Sequence, residues 1–331
     1  MVKLNKITLF LLVVIVGAIF STASASAATA IKTATTSYQY GAAAFDPKKT
    51  YSQISSKDLN VQEKGDYTIV TWSDQSSLDG THLYMSVAKK NKWLFRGKEV
   101  LYVDDAYNSF STMITVANNY IFYGNNEHLA VKIVNLDDGK TISEKTLQTW
   151  KDANIFTSNY FYPIRTNDRS GVLYENGVGK YTIYLEGELA KPLTIEDPKN
   201  VLRNQLMSKF RPIVLTTKRD RLIFSTWLGS TVYNINKKDM SYDETGQVKN
   251  YPGTLFYAGG KFYNYISSTN PTIQSLDENF KTLSTTLFKD TSKNLTSGTA
   301  TVGSGNVVRF WSYNNYQNTN SLQVTSFNLS K

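Results

Sequence analysis

The sequence has no cysteine and only two histidines, His82 and His128. The first absence excludes disulfide frameworks, thiolate nucleophiles, zinc–thiolate sites and iron–sulfur clusters. The second leaves little room for a histidine-rich metal centre, and neither metal nor cofactor is expected. No G-x-S-x-G, H-E-x-x-H, EF-hand or Walker pattern occurs either. Helical periodicity is scarce, with Pro198–Phe210 the best helix candidate and its apolar spacing poor. What remains is a chain of 331 residues, 41% hydrophobic, with a formal charge of +9. That composition describes a soluble, mildly basic globular protein long enough for a buried core.

The N-terminus carries an address. Lys3 and Lys6 make a positive start, Ile7 to Phe20 is an unbroken run of apolar or small residues, and Ala25-Ser26-Ala27 fits an A-x-A cleavage site. These are the three parts of a secretory signal peptide. The apolar run is shorter than the ~20 residues a membrane-spanning helix needs. Residues 1–27 are therefore expected to be removed. No second apolar run of spanning length follows, so nothing else is expected to hold the chain in a membrane. Without cysteine no lipid-modified cysteine can anchor it. The expected location is extracellular or on the cell wall.

Residues 28–64 are rich in Ala, Thr, Ser and Lys and read as a leader that could contribute one strand. After that, short β-branched and aromatic runs alternate with Asn, Asp, Gly and Ser clusters, which is strand-and-turn patterning. Two phrases recur. In the first, an apolar strand ends in an aromatic, at Trp72, Tyr123, Tyr174, Phe224, Tyr265 and Trp311, spaced by 51, 51, 50, 41 and 46 residues. In the second, a strand enters a polar turn, anchored at Val87, Leu136, Leu185, Ile235, Leu276 and Leu329 and spaced by 49, 49, 50, 41 and 53. A repeat of about 50 residues holding about four strands has the size of one propeller blade. One such sheet cannot cover both faces alone, whereas a radial set buries each between its neighbours.

Strand, aromatic, hairpin and an Asn-Leu-Asp-x-Gly-like turn, as in Asn135-Leu136-Asp137-Asp138-Gly139, together resemble secreted bacterial β-propeller proteins. The resemblance is architectural and covers about Asp66 to Lys331. No WD, NHL or kelch signature is present, and Ser77-Leu78-Asp79-Gly80-Thr81 departs from an Asp-box by an early glycine. The expected fold is all-β: a β-propeller over residues 65–331 of about six four-stranded blades. Five or seven blades, or paired β-sandwiches, are the alternatives. Ring closure would need a strand from the N-terminal stretch.

Candidate site residues follow from the repeat. Asp74, Glu127 and Glu175 each come just after the repeated aromatic strand, where equivalent loops of a propeller gather at one rim. Such carboxylates could form an acid–base set, as in glycosidases, or simply favour turns. His82 and His128 occupy matching places and could meet if neighbouring blades brought them together. Trp72, Tyr123, Tyr174, Trp227, Tyr265 and Trp311 lie at or near the strand end. Exposed, they would stack on sugars beside Asn125, Asn126, Asn176, Asn314 and Asn315; buried, they would be inter-sheet core. Lys89-Lys90-Asn91-Lys92 and Lys218-Arg219-Asp220-Arg221 read as solvated hairpin tips that could also adsorb anionic polymers. Nucleic acid is not an expected partner. The expected function is a secreted binding module for a polysaccharide or a protein, with a secreted carbohydrate-active hydrolase as the alternative.

Overall fold

A computed structural model of the chain describes residues 38–39, 60–74, 80–90, 92–103, 114–124, 128–149, 161–166, 169–175, 180–196, 213–216, 218–226, 229–235, 254–258, 261–266, 272–277, 280–287, 299–303, 307–316 and 319–328. Among the described residues the secondary structure is strand and turn, with no helix. The helix candidate Pro198–Phe210 and residues 1–27, expected from sequence to be a signal peptide, lie outside them.

The strands form antiparallel meanders in chain order. After β1 (Tyr38–Gln39), the first meander is β2 (Asn60–Lys64), β3 (Tyr67–Asp74), β4 (Thr81–Lys89) and β5 (Lys92–Val103). The second is β6 (Ile114–Ala117), β7 (Tyr120–Gly124), β8 (His128–Val134) and β9 (Thr141–Thr149). The third is β10 (Phe161–Arg165), β11 (Ser170–Glu175), β12 (Lys180–Leu185) and β13 (Leu193–Glu196). The fourth has β14 (Ile213–Leu215), β15 (Arg221–Thr226) and β16 (Gly229–Asn234), joined to the third by parallel pairing of β10 with β14. The fifth is β17 (Thr254–Ala258), β18 (Lys261–Ile266), β19 (Thr272–Leu276) and β20 (Thr282–Leu287). Last come β21 (Thr299–Gly303), β22 (Val307–Tyr316) and β23 (Thr319–Asn328), to which β1 adds as a fourth strand through Tyr38↔Val324. The first meander begins at Asn60, inside the stretch read as leader.

The two recurring phrases are now explained. The first lies on β3, β7, β11, β15, β18 and β22, each the second strand of its meander. Of the anchors of the second, Val87, Leu185 and Leu276 lie on third strands, Leu136 and Ile235 just after them, and Leu329 outside the described residues. Second strands, and all third strands but β16, have a described partner on both edges, so their sequences are the most apolar and the most alike.

Successive meanders bury their faces against each other. One core cluster combines Ile69, Leu83, Met85 and Val87 of the first with Val116, Ile121 and Ala130 of the second. Another joins Phe122, Leu129 and Val131 to Val172, Tyr174 and Tyr184 of the third. Ile164, Leu173 and Ile183 meet Leu215, Leu222 and Phe224 of the fourth. Val214 and Ile223 then meet Leu255, Phe262 and Leu276 of the fifth. Each large apolar side chain so buried contributes about 1.5–3 kcal/mol of transfer free energy. First strands of neighbouring sheets approach one another, β6 against β10, β10 against β14 and β21 of the last sheet against β2 of the first, while β17 packs on β15 and β16. The architecture is all-β and propeller-like.

Gln62 shows how two first strands are held. It is buried in β2, its amide nitrogen donates to the Val116 carbonyl, and its amide oxygen accepts from the Asn118 backbone N–H. One side chain thereby satisfies a donor and an acceptor of the second sheet that no ladder reaches.

Candidate functional site

The two ends of the sheet stack differ. At one end lie the turns between first and second strands and between third and fourth strands. Several of these turns are tight and contain a residue with positive φ: Gly65, Lys90, Asn118, Gly139, Gly187, Arg219 and Phe280. The turn from Asn135 to Lys140 illustrates the local chemistry. Asn135 Oδ1 accepts from the Asp137 N–H at 2.8 Å, Asp138 Oδ1 accepts from the Lys140 N–H at 2.9 Å, and Gly139 takes φ 67°. The Lys140 amide, ahead of its ammonium, holds the Asp138 carboxyl below the ordinary aspartate value.

Ion pairs tie this turn end together across sheets. Lys64 contacts Glu186 and donates to Asn119 Oδ1 at 2.9 Å, while Asn118 Nδ2 donates to Glu186 Oε2 at 2.8 Å. Sheets one, two and three meet at that point. Tyr67 Oη donates to Asp137 at 2.9 Å, and Lys98 donates to the Asp138 carbonyl at 2.8 Å, joining sheets one and two. Glu188 is gripped by Arg169 of its own sheet and by Arg219 of the next. The basic tips at Lys89-Lys90 and Arg219-Asp220-Arg221 belong here: Lys89 pairs with Asp137 at 3.7 Å and Lys90 with Asp66 at 3.5 Å.

Glu188 yields a pH prediction. Arg219 first, then Arg169, hold its carboxyl below the ordinary value of 4.5. A depressed folded-state value contributes stability above the unfolded value, which is lost as pH falls through the folded one. Glu188→Gln should lower the melting temperature at neutral pH, and the gap should close on acidification below 4.5. Thermal melts across that range check this; a gap independent of pH would oppose it.

At the opposite end second strands finish and third strands begin. β5, β9, β13 and β20 end there and β6, β10, β14, β17 and β21 begin there, whereas β16 ends at the turn end, where the Ile235 N–H donates to the Asp220 carbonyl. Asp74 and Glu175 are the last residues of β3 and β11, so their backbones reach this end. Glu127, Trp227, Asn125, Asn126 and Asn176 lie outside the described residues, and Trp311, Asn314 and Asn315 are placed only as strand residues of β22.

The other four aromatic candidates are buried. Trp72, Tyr123, Tyr174 and Tyr265 are 0%, 9%, 1% and 7% exposed. Tyr174 packs in the cluster between the second and third sheets, and Tyr123 in that between the first and second. The Tyr123 hydroxyl donates to the Glu144 carboxylate, and burial, then that bond, pushes its pKa up. Tyr123 and Tyr174 thus pack between sheets, and Trp72 and Tyr265 are buried.

His82 and His128 are not brought together. His128 stands edge-on to Tyr123, with ring centroids 6.5 Å apart, on the side of sheet two that faces sheet one. On β4, Leu83, Met85 and Val87 face sheet two, so strand alternation turns His82 and Tyr84 to the other face. There Trp72 stacks on Tyr84 at 5.9 Å, Tyr84 neighbours His82 at 6.3 Å, and His82 meets Tyr102 at 4.8 Å. His82 Nδ1 lies 3.1 Å from Glu99 Oε2. The rings run from the buried second strand to an exposed fourth strand. Glu99 and Tyr102 were not candidates from sequence. β5 carries register shifts opposite Leu83/Tyr84 and Met85/Val87, which break the simple alternation that would have placed them.

A third feature joins two first strands. Arg165 of β10 reaches the Val61 carbonyl of β2 at 3.5 Å. Desolvation lowers its pKa to about 10, with Glu63 opposing that shift.

No family model and no curated protein matches the sequence. Solved structures with some likeness include a luciferin-regenerating enzyme, at 10% identity and TM-score 0.37, covering 82% of this chain and 91% of that one. The β-propeller domain of the Trilobed protease from Pyrococcus furiosus shows 9% identity and TM-score 0.37, covering 76% and 78%. The arabinanase Arb43A from Bacillus subtilis shows 11% identity and TM-score 0.32, covering 85% and 97%.

Proposed function

We propose that this chain is an exported six-bladed propeller that works as a binding module, presenting its loop-bearing end to an extracellular or cell-wall polysaccharide or to a protein partner. The supporting observation is the asymmetry between the two ends. One is closed down by tight turns and inter-sheet ion pairs; at the other, β5, β9, β13 and β20 end and β6, β10, β14 and β21 begin. Recognition residues sit disproportionately on loops carried by a rigid scaffold. In sequence, the segments 104–113 and 150–160 contain Tyr107, Phe110, Trp150, Asn154, Asn159 and Tyr160, residue types suited to sugar recognition. Export rests on the N-terminal signal sequence, and β1 joined to β23 supports closing of the sixth sheet.

The test is co-sedimentation of the exported chain, residues 28–331, with purified cell walls and a panel of insoluble polysaccharides at low and high salt. Binding to one polymer that survives high salt supports a stacking-driven glycan site. Binding lost at high salt reduces the interaction to charge adsorption by a basic chain. No binding sinks the polysaccharide reading and moves the search to proteins.

The hydrolase reading is favoured by one observation: Asp74 and Glu175 end equivalent strands at the same end. It expects release of soluble sugar from the bound polymer, and loss of that release in Asp74→Asn or Glu175→Gln.

A further inference from the structure

We infer that the outer edge of the first sheet carries a subsite for a neutral sugar ring, with Tyr102 as its platform and Glu99 and His82 as its hydroxyl partners. The inference rests on the polysaccharide reading above and gives it an address.

Three observations converge. First, position: His82 is the second residue of β4 and Tyr102 the penultimate residue of β5, so both stand at the loop-bearing end. Second, exposure: Tyr102 is 45% exposed, whereas Trp72, in the same run of rings, is fully buried. The inner rings fix the run in place and the outer one reaches solvent. Third, chemistry: the side chains of His82 and Glu99 are 26% and 43% exposed and 3.1 Å apart. With Nδ1–H donating to Glu99, Nε2 of His82 becomes an acceptor. The carboxylate accepts through two oxygens, and its other lone pairs remain for a ligand.

A flat ring beside two acceptors suits a pyranose. Its C–H face packs on the tyrosine, and its hydroxyls donate to the carboxylate and the imidazole. The negative charge of Glu99 disfavours an anionic polymer at this spot. That separates the subsite from charge adsorption, which would use the lysine-rich turns at the far end. The shelf also lies on the face of sheet one turned away from sheet two, toward the last sheet, where β21 returns to β2. A linear glycan could therefore run along the outside of that seam.

The experiment uses the exported chain and a panel of neutral insoluble polysaccharides (cellulose, chitin, mannan, arabinan) at high salt. Tyr102→Ala should weaken binding to the retained polymer about tenfold, as truncating an aromatic anchor typically does. Tyr102→Phe keeps the platform and should bind like the wild type. Glu99→Ala removes the carboxylate and should also weaken binding. Melting curves establish that each variant is folded. If the wild type binds a neutral polymer and folded Tyr102→Ala binds equally well, the subsite is wrong while the broader reading stands. If Tyr102→Phe loses as much as Tyr102→Ala, the stacking account is wrong. If the wild type binds no neutral polymer, the subsite falls, and the broader reading is decided by the cell-wall arm described above.

Discussion

Trp72→Ala should cost about 3–5 kcal/mol of folding stability, the range for deleting a buried indole from a packed core. Trp72 is fully buried on β3 and stacks on Tyr84, with ring centroids 5.9 Å apart. Its neighbours are held by hydrogen-bonded ladders on both edges of β3, so the sheet has little freedom to collapse into the space left behind. Domains are stable by roughly 5–15 kcal/mol in total, so this loss is a large fraction of what is available. Urea unfolding followed by far-ultraviolet circular dichroism should show a midpoint lowered by on the order of 1 M. Trp72→Phe, which keeps a ring, should recover much of the loss. The comparison also decides what kind of residue Trp72 is. A ligand platform would lose binding at an unchanged midpoint. A core residue loses its midpoint first, and any fall in binding follows from unfolding.

Trp72 also shows what sequence can and cannot reveal here. The repeated apolar strand was visible because β-branched and aromatic runs bounded by turn residues are local signals. They fall on β3, β7, β11, β15, β18 and β22. The hairpin at Asp137-Asp138-Gly139 was visible for the same reason: its hydrogen bonds span two residues, and Gly139 supplies the positive φ. Whether a ring at a strand end is exposed is not local. It depends on the sheet that packs over it. Tyr174 is covered between the second and third sheets, whereas Tyr102, on a fourth strand, lies at an outer edge. The ion pairs of the turn end were hidden for a related reason. Lys64 and Glu186 are 122 residues apart, and their meeting follows from the turn of one sheet against another. Glu99 and His82 are 17 residues apart, but the register shifts of β5 hide the face they share.

Gly171→Ala should cost about 3 kcal/mol, at the upper end of what overpacking a core usually does. Gly171 lies inside β11, paired with Ile164 of β10 on one side and Leu185 of β12 on the other. A methyl placed there would meet the Tyr184 carbonyl oxygen at 2.1 Å and the Leu185 Cα at 3.0 Å. Both are backbone atoms, so no side-chain rotation relieves the clash. β12 would have to move, yet it is fixed by its ladders to β11 and β13. Its inward residues also serve two cores, Ile183 and Leu185 toward the fourth sheet and Tyr184 toward the second. Displacing β12 would loosen both. Gly65 provides the control. It has φ 58° and nothing within 4 Å of an added methyl, so Gly65→Ala carries only the left-handed strain of about 1–2 kcal/mol. Unfolding midpoints for the two variants should therefore differ clearly, with Gly171→Ala the lower. Equal midpoints, or a Gly171→Ala protein as stable as the wild type, would mean that β11 and β12 do not approach as closely as Gly171↔Leu185 requires. The packing of the third sheet between the second and the fourth would then need a different register.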